Sequence, residues 1–332
     1  MPVREPDRSW AASLARAGLG LLSPGASRGR LTILIYHRVL SEPDPLFPEE
    51  NDVEAFDRQM GQVTDCFNVI PLHEALRGLR KGKLPARAAC VTFDDGYADN
   101  AEIALPVLRK HGIPATFFVA SGVLDGGRMW NDTIIELIRR APGTTLDLTE
   151  AGLGQLEVGT DAQRRGAIDD VIGALKHLPF EQRRLRVEAI RALVAVSLPD
   201  NLMMTSDQVR HLHGAGMEIG GHTVNHPILA SMEDPAAAHA EIAHGKEVLE
   251  SIIRARIRFF AYPNGKPGRD YLPQHVGMVR QIGFEAAVST AHGAARMTSD
   301  PYQLPRFTPW DRHPLRFGLR MVQNMLKSVD TV

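Results

Sequence analysis

The sequence of 332 residues predicts an α/β chain whose parallel strands close into a barrel. Three observations predict this fold class. Apolar runs of strand length alternate with amphipathic helical segments, the order of a parallel architecture. Seven or eight such strands are countable, which favours a closed barrel over an open sheet. The residues best suited to chemistry, Asp94-Asp95 and His222 with His226, fall just after strands, at the rim where parallel barrels assemble their sites.

Taken in order, residues 1–30 read as a loosely ordered arm with a short helix around Trp10–Leu21. Leu31–Tyr36 is a nearly continuous apolar run, as expected of a strand buried on both faces, and His37-Arg38 follows it at once. Val53–Cys66 reads as a helix with Phe56, Met60 and Val63 on one face. Phe67–Ile70 is a short strand and Leu72–Leu79 a helix. Ala88–Phe93 is the strand that ends in the paired aspartates, and Asp99–His111 is a helix stopped by Gly112. Pro114–Ala120 is the next strand.

From about 125 to 205 the alternation breaks into helical stretches, Trp130–Arg140, Ala162–Leu178 and Glu181–Val196, with no expected strand. This segment reads as a helical insertion, and Arg183, Arg184, Arg186 and Arg191 as a solvated face balanced by Glu181 and Glu188. The alternation resumes with helix Ser206–Ala215, strand Met217–Gly220, helix Pro235–Ile253, strand Arg258–Tyr262, helix Tyr271–Ile282 and strand Phe284–Ser289. A last short strand is expected at Tyr302–Thr308. The tail from 311 to 332 carries a helix, Leu315–Lys327, packed through Phe317, Met321 and Leu326.

The composition bounds the function. With 38 basic and 39 acidic residues the chain offers no nucleic-acid-binding charge. Cys66 and Cys90 form no metal or redox motif. No stretch reaches the length of a membrane span, and the short, glycine-broken apolar segment Ala17–Leu22, preceded by Glu5 and Asp7, argues against a cleaved leader. The expected location is cytoplasmic. Oligomeric state is not legible.

Two adjacent carboxylates at the end of a buried strand raise each other's pKa unless a cation or donor separates them. Thr92-Phe93-Asp94-Asp95-Gly96 therefore reads either as a metal ligand beside a free base or as an Asp-Asp-Gly turn. His222-Thr223-Val224-Asn225-His226 can turn two imidazoles to one point, and with a carboxylate from another strand it makes a two-His, one-acid metal set. A pair of surface histidines in a loop is the other reading. Both motifs lying at strand ends favours the metal site.

These two motifs resemble the first two of the polysaccharide deacetylases, the NodB-homology or carbohydrate esterase family 4 domain, over roughly residues 31–310. The resemblance implies a distorted (β/α)7 barrel with a helical insertion, a divalent metal, most often zinc, on Asp95, His222 and His226, and Asp94 as general base. It also implies an oxyanion donor in a third motif, here Ala261-Tyr262-Pro263-Asn264-Gly265, from the backbone amide of Asn264. Two positions depart from the family pattern. The arginine that usually orients the base is Ala261, leaving Arg306 or Arg38 to hold Asp94, and a tyrosine is Asn264. The late histidine motif that protonates the leaving amine is absent. His37, in Tyr36-His37-Arg38, matches the placement of that acid in the circularly permuted biofilm poly-N-acetylglucosamine deacetylases. Tyr262, Arg306 and Trp310 are the expected substrate-binding residues, with Trp310 as a stacking face for a sugar.

The expected activity is hydrolysis of the N-acetyl group of an N-acetylglucosamine-type sugar in a polysaccharide or glycan precursor. A carbohydrate-binding scaffold on the same barrel, and an esterase or other amidohydrolase, are the alternatives.

Overall fold

The computed structural model describes residues 8–332. The start of the arm, with Glu5 and Asp7, lies outside the described residues. The strands, in chain order, are β1 (Leu31–Tyr36), β2 (Asn68–Val69), β3 (Ala88–Phe93), β4 (Ala115–Val119), β5 (Thr145–Leu148), β6 (Gly154–Glu157), β7 (Glu218–Gly221), β8 (Phe259–Ala261) and β9 (Ala286–Val288). All except β5 and β6 form one parallel, curled sheet, ordered β1-β3-β4-β7-β8-β9, with β2 also paired to β3. β1 and β3 are buried at every residue, which explains their unbroken apolar sequence.

The expected strand at Tyr302–Thr308 is an extended segment that closes the sheet. Leu304 exchanges backbone hydrogen bonds with Ala287 of β9 and with Ser289 just beyond it, and Phe307 does so with Ile33 and Ile35 of β1. Residues 304–307 thus join the two sheet edges, so neither is left open to pair with another chain.

The helices are α1 (Arg8–Leu22), α2 (Val53–Cys66), α3 (Leu72–Lys81), α4 (Leu105–Lys110), α5 (Trp130–Arg140), α6 (Asp161–Leu175), α7 (Phe180–Val194), α8 (Ser206–Gly214), α9 (Pro235–Ile253), α10 (Pro273–Gln281) and α11 (Pro314–Leu326). Local chemistry starts several of them. Asp52 caps α2 through Ala55 N, and Thr205 with Gln208 forms a capping box on α8. The helix expected over Asp99–His111 begins instead as a wide π turn, Asn100–Ala104, before α4. Of the tail residues expected to pack inward, Phe317 and Met321 are buried, but Leu326 is exposed and Met325 takes its place.

Two structures differ from the sequence reading of the 125–205 segment. It contains an antiparallel hairpin, β5–β6, whose Thr145–Leu148 strand alternates exposed and buried side chains. A period-2 signal of four residues between glycines is too short to stand out from a loop. The segment also has its own core, in which Ile134, Leu137, Leu148, Ile168, Val171 and Ile190 meet Leu46 from the loop after β1. That loop and the insertion are therefore packed as one wall beside the barrel mouth. Arg184 and Arg191 lie on an exposed face, each paired to a glutamate, but Arg183 does not: it is only 3 % exposed.

Under the mouth, Phe93 at the end of β3 stacks on Phe117 of β4 at 4.9 Å and on Tyr36 of β1 at 5.5 Å. Such pairs contribute about 0.5–1.5 kcal/mol each beyond burial, and they fix the strand ends from which the next residues project. Among the described residues, no helix is long and apolar enough to cross a membrane. Both cysteines are buried free thiols.

Candidate active site

Asp94 still follows the sheet, its amide donating to Tyr36 O at 3.0 Å, whereas Asp95 turns into the left-handed region with φ 75°. This change of hand sends the two carboxylates in different directions, the division of labour expected of one ligand and one base. Gly96 continues the turn at φ 93°, and a Cβ there would meet Val119 Cγ1 at 2.9 Å, so only glycine fits. Thr223, His226 and Asn264 also have positive φ, at 65°, 53° and 57°. Strained non-glycine backbone thus gathers at this mouth.

Asp95 Oδ1 lies 3.4 Å from His222 Nε2 and 3.4 Å from His226 Nε2, and the two imidazole nitrogens are 3.1 Å apart. Metal–ligand bonds of about 2.0–2.1 Å at tetrahedral angles place ligand atoms roughly 3.3–3.4 Å apart, so the triangle fits the face of a zinc-like site. His222 Nδ1 bonds Ala261 O at 2.7 Å, which leaves Nε2 as the free lone pair. The histidine loop is held from behind by Glu241 of α9, whose carboxylate accepts from the amides of Val224 and Asn225 and from Asn225 Nδ2, at 2.7–3.0 Å.

The electrostatics suit ligands. Burial opposes the charge on Asp95, but His226 and His222 outweigh it and hold the carboxyl well below its usual range. Burial pushes His226 down to about 4, with His222 adding to the effect, so it is neutral at pH 7. His222 is raised instead, because Asp94 and Asp95 outweigh its burial.

Asp94 is 3 % exposed and accepts a two-pronged bond from Arg306, Nη1 to Oδ1 at 2.6 Å and Nη2 to Oδ2 at 2.7 Å. Burial alone would raise its carboxyl, but the Arg306 guanidinium and His222 hold it below the usual value. Arg306 is itself fixed by Ser289 O at 3.0 Å, and it sits in the segment that closes the sheet. Arg38 is engaged elsewhere, with Asp99 at 2.8 Å. Asp94 Oδ2 is 3.9 Å from His222 Nε2, beside the triangle.

One cavity of about 430 Å³ covers this site, and His37, Asp94, Asp95, His222, His226 and Asn264 all line it. His37 is held through its carbonyl by Asn100 Nδ2 at 2.8 Å, from the π turn, and Asp99 accepts from Val39 N. The Asn264 amide N–H makes no hydrogen bond among the described residues, while its carbonyl accepts from Thr290 Oγ1 at 2.8 Å.

The three residues expected to bind substrate do not line this cavity. Tyr262 is fully buried, stacked on Tyr271 at 3.9 Å with its hydroxyl donating to Tyr302 O. Trp310 is 50 % exposed, packs on Phe307 and Arg320 and does not line the cavity. Arg306 reaches Asp94 rather than the cavity. Sequence reasoning missed Asn100, Asp99 and Glu241, none of which belongs to a motif. Asp132, in the first turn of the helix expected over Trp130–Arg140, likewise belongs to no motif.

Asp132 lines the cavity at 5 % exposure, with Oδ1 accepting from the Tyr97 hydroxyl at 3.3 Å and Oδ2 without a hydrogen-bond partner among the described residues. Burial pushes its carboxyl to about 7, and nearby Asp95 adds to the rise while Arg38 opposes it. An acid whose folded pKa lies above its unfolded value keeps its proton longer when folded. Its contribution is intact below about 3.8 and lost as pH rises to about 7. In the metal-free protein, Asp132→Asn is therefore expected to remove on the order of 2 kcal/mol of the stability loss between pH 5 and pH 8. Chemical denaturation at the two pH values checks this, and an unchanged pH dependence would exclude it.

A family model described as polysaccharide deacetylase matches residues 81–145 and 184–287, just over half of the chain. The chain belongs to the polysaccharide deacetylase family. Its members are hydrolases acting on N-acetyl amide bonds. YxkH of Bacillus subtilis, assigned to the polysaccharide deacetylases, is 22 % identical over 279 residues, covering 83 % of this chain and 70 % of YxkH. A poly-beta-1,6-N-acetyl-D-glucosamine N-deacetylase of Staphylococcus aureus is 42 % identical over 53 residues, 16 % of this chain and 18 % of that protein.

Among solved structures, the Streptococcus pyogenes deacetylase PplD in complex with acetate superposes with TM-score 0.58 at 20 % identity, over 90 % of this chain and 99 % of that one. IcaB from Ammonifex degensii gives 0.53 at 20 % identity, over 87 % and 95 %. These likenesses carry the curled α/β barrel fold. The deacetylase match contains Asp94, Asp95, His222, His226 and Asn264, whereas His37 and Arg306 lie outside it.

Proposed function

We propose that this deacetylase removes the acetyl group from an N-acetylglucosamine-type sugar in a polysaccharide or glycan precursor, with zinc as its metal. The observation that carries the reading is the fully buried Asp94, clamped by Arg306 and aimed beside the Asp95–His222–His226 triangle. A cation on that triangle supplies Lewis acidity toward the acetamide carbonyl and lowers the pKa of a water.

The chain's own residues do the rest. Asp94, kept ionised by Arg306, accepts the proton of the attacking water. The unengaged amide of Asn264 donates to the oxygen on which negative charge develops. His37, which follows β1 and lines the same cavity, gives a proton to the departing amine. The amine and acetate then leave, and acetate is also the molecule named with the PplD structure. A cytoplasmic location, which cell fractionation tests, belongs to the same proposal.

The test is acetate release from N-acetylglucosamine oligomers, with an O-acetylated sugar run in parallel. Release that needs added divalent metal and favours the amide supports the reading. Faster release from the O-acetyl sugar would make the chain an esterase, and none from either would refute the proposed substrate class.

A further inference from the structure

The inference below rests on the deacetylase reading and concerns what else the substrate carries. The cavity that covers the metal triangle is also lined by Trp130, Lys176 and Arg183 of the insertion. At about 430 Å³ it is of the size that encloses one small ligand or a short stretch of a larger one.

Most charges lining it are matched. Arg38 pairs with Asp99 at 2.8 Å, Arg139 with Asp44 and with Glu136, and Asp94 with Arg306. Lys176 and Arg183 form no ion pair among the described residues. For Arg183 this is costly, because it is 3 % exposed and a guanidinium taken from water needs an anion or a full set of acceptors. Burial accordingly pulls it below the usual arginine range, with no carboxylate to offset the effect. The buried Asp132 is not its partner: the charges that act on Asp132 are those of Arg38, Asp95 and Glu136.

The guanidinium is nonetheless held in place. Nη1 donates to Lys176 O at 3.2 Å, at the C-terminal end of α6, and the charge sits 4.9 Å from the centre of the Trp130 indole ring. A helix C-terminus and an aromatic face both favour a cation. They fix its position but leave the other N–H groups without a protein acceptor among the described residues. A positioned planar fork with free donors, beside a lysine on the same wall, matches the oxygens of phosphate or carboxylate.

We propose that Arg183 and Lys176 form an oxyanion subsite of the deacetylase cavity, so that the preferred substrate is an N-acetylated sugar bearing a phosphate or a carboxylate. The insertion then does more than enclose the site: it selects an anionic glycan or precursor over a neutral one.

Calorimetric binding tests this on the full chain, with N-acetylglucosamine, N-acetylglucosamine 1-phosphate and a disaccharide of N-acetylglucosamine with a uronic acid as probes. One of the two anionic sugars is expected to bind about tenfold tighter than the neutral one, the size of a charge-assisted hydrogen-bond pair. Whichever does so identifies the anion. Arg183→Met is expected to bring that ratio close to one. Lys176→Met, at a half-buried position outside the insertion core, is expected to lower it in part and remains readable if the first variant does not fold.

No preference in the unaltered protein would overturn the proposal. So would a preference that survives both substitutions, or a loss of neutral and anionic binding by the same factor. The measurement requires no turnover. Failure to release acetate therefore counts against the deacetylase reading alone, and an absent preference counts against the subsite alone.

Discussion

Asp94→Asn is expected to lower acetate release by about 10²–10⁴-fold, the range for removing a general base, while metal stoichiometry is unchanged. The amide keeps the shape of the carboxylate and can still accept one bond from Arg306, but it takes no proton. The substitution also leaves the guanidinium of a residue 1 % exposed without its anion. Breaking a buried pair from one side costs about 3–5 kcal/mol, so the melting temperature should fall as well. Metal content therefore has to be measured on the same preparation, since it separates a folded but inactive protein from an unfolded one. Wild-type turnover by a folded, metal-loaded Asp94→Asn protein would remove Asp94 from the role of base.

His222→Ala is expected to abolish both stoichiometric metal binding and turnover. Its Nε2 is one corner of the 3.1–3.4 Å triangle, and no other His, Cys, Asp or Glu joins that group among the described residues. A metal that binds only the folded state stabilises it by about 4 kcal/mol at a thousandfold excess over Kd. The unaltered protein should accordingly melt higher when metal is added, and the variant should not. Metal binding by the unaltered protein should also weaken as pH falls, because His222, raised by Asp94 and Asp95, must release its proton to become a ligand. Retained metal-dependent activity in His222→Ala would show that the metal lies elsewhere.

Much of the site was legible because it is local. Asp94 and Asp95 are adjacent, and His222 and His226 are four residues apart on one loop. Strand alternation and the left-handed turn at Asp95 need only neighbouring residues to send two acids apart. The barrel was legible for a similar reason, since strands buried on both faces must be apolar throughout. The hairpin β5–β6 was not, because four alternating residues carry too little pattern, and the π turn at Asn100–Ala104 has no distinct spacing.

The sequence by itself thus determined the alternating α/β order, the two motif-bearing strand ends and the one-acid, two-histidine group that could hold a metal. Only the tertiary structure decided what surrounds them. Closure of the sheet through residues 304–307 brings Arg306 to Asp94 across 212 positions and settles which arginine replaces the missing one. The same closure leaves Trp310 outside the cavity, and stacking on Tyr271 withdraws Tyr262 from it. Arg183 sits among exposed, paired arginines in sequence, yet packing of α7 against α5 buries it in the cavity wall. A residue's partners across the chain depend on how layers pack rather than on spacing, and local pattern carries no record of that.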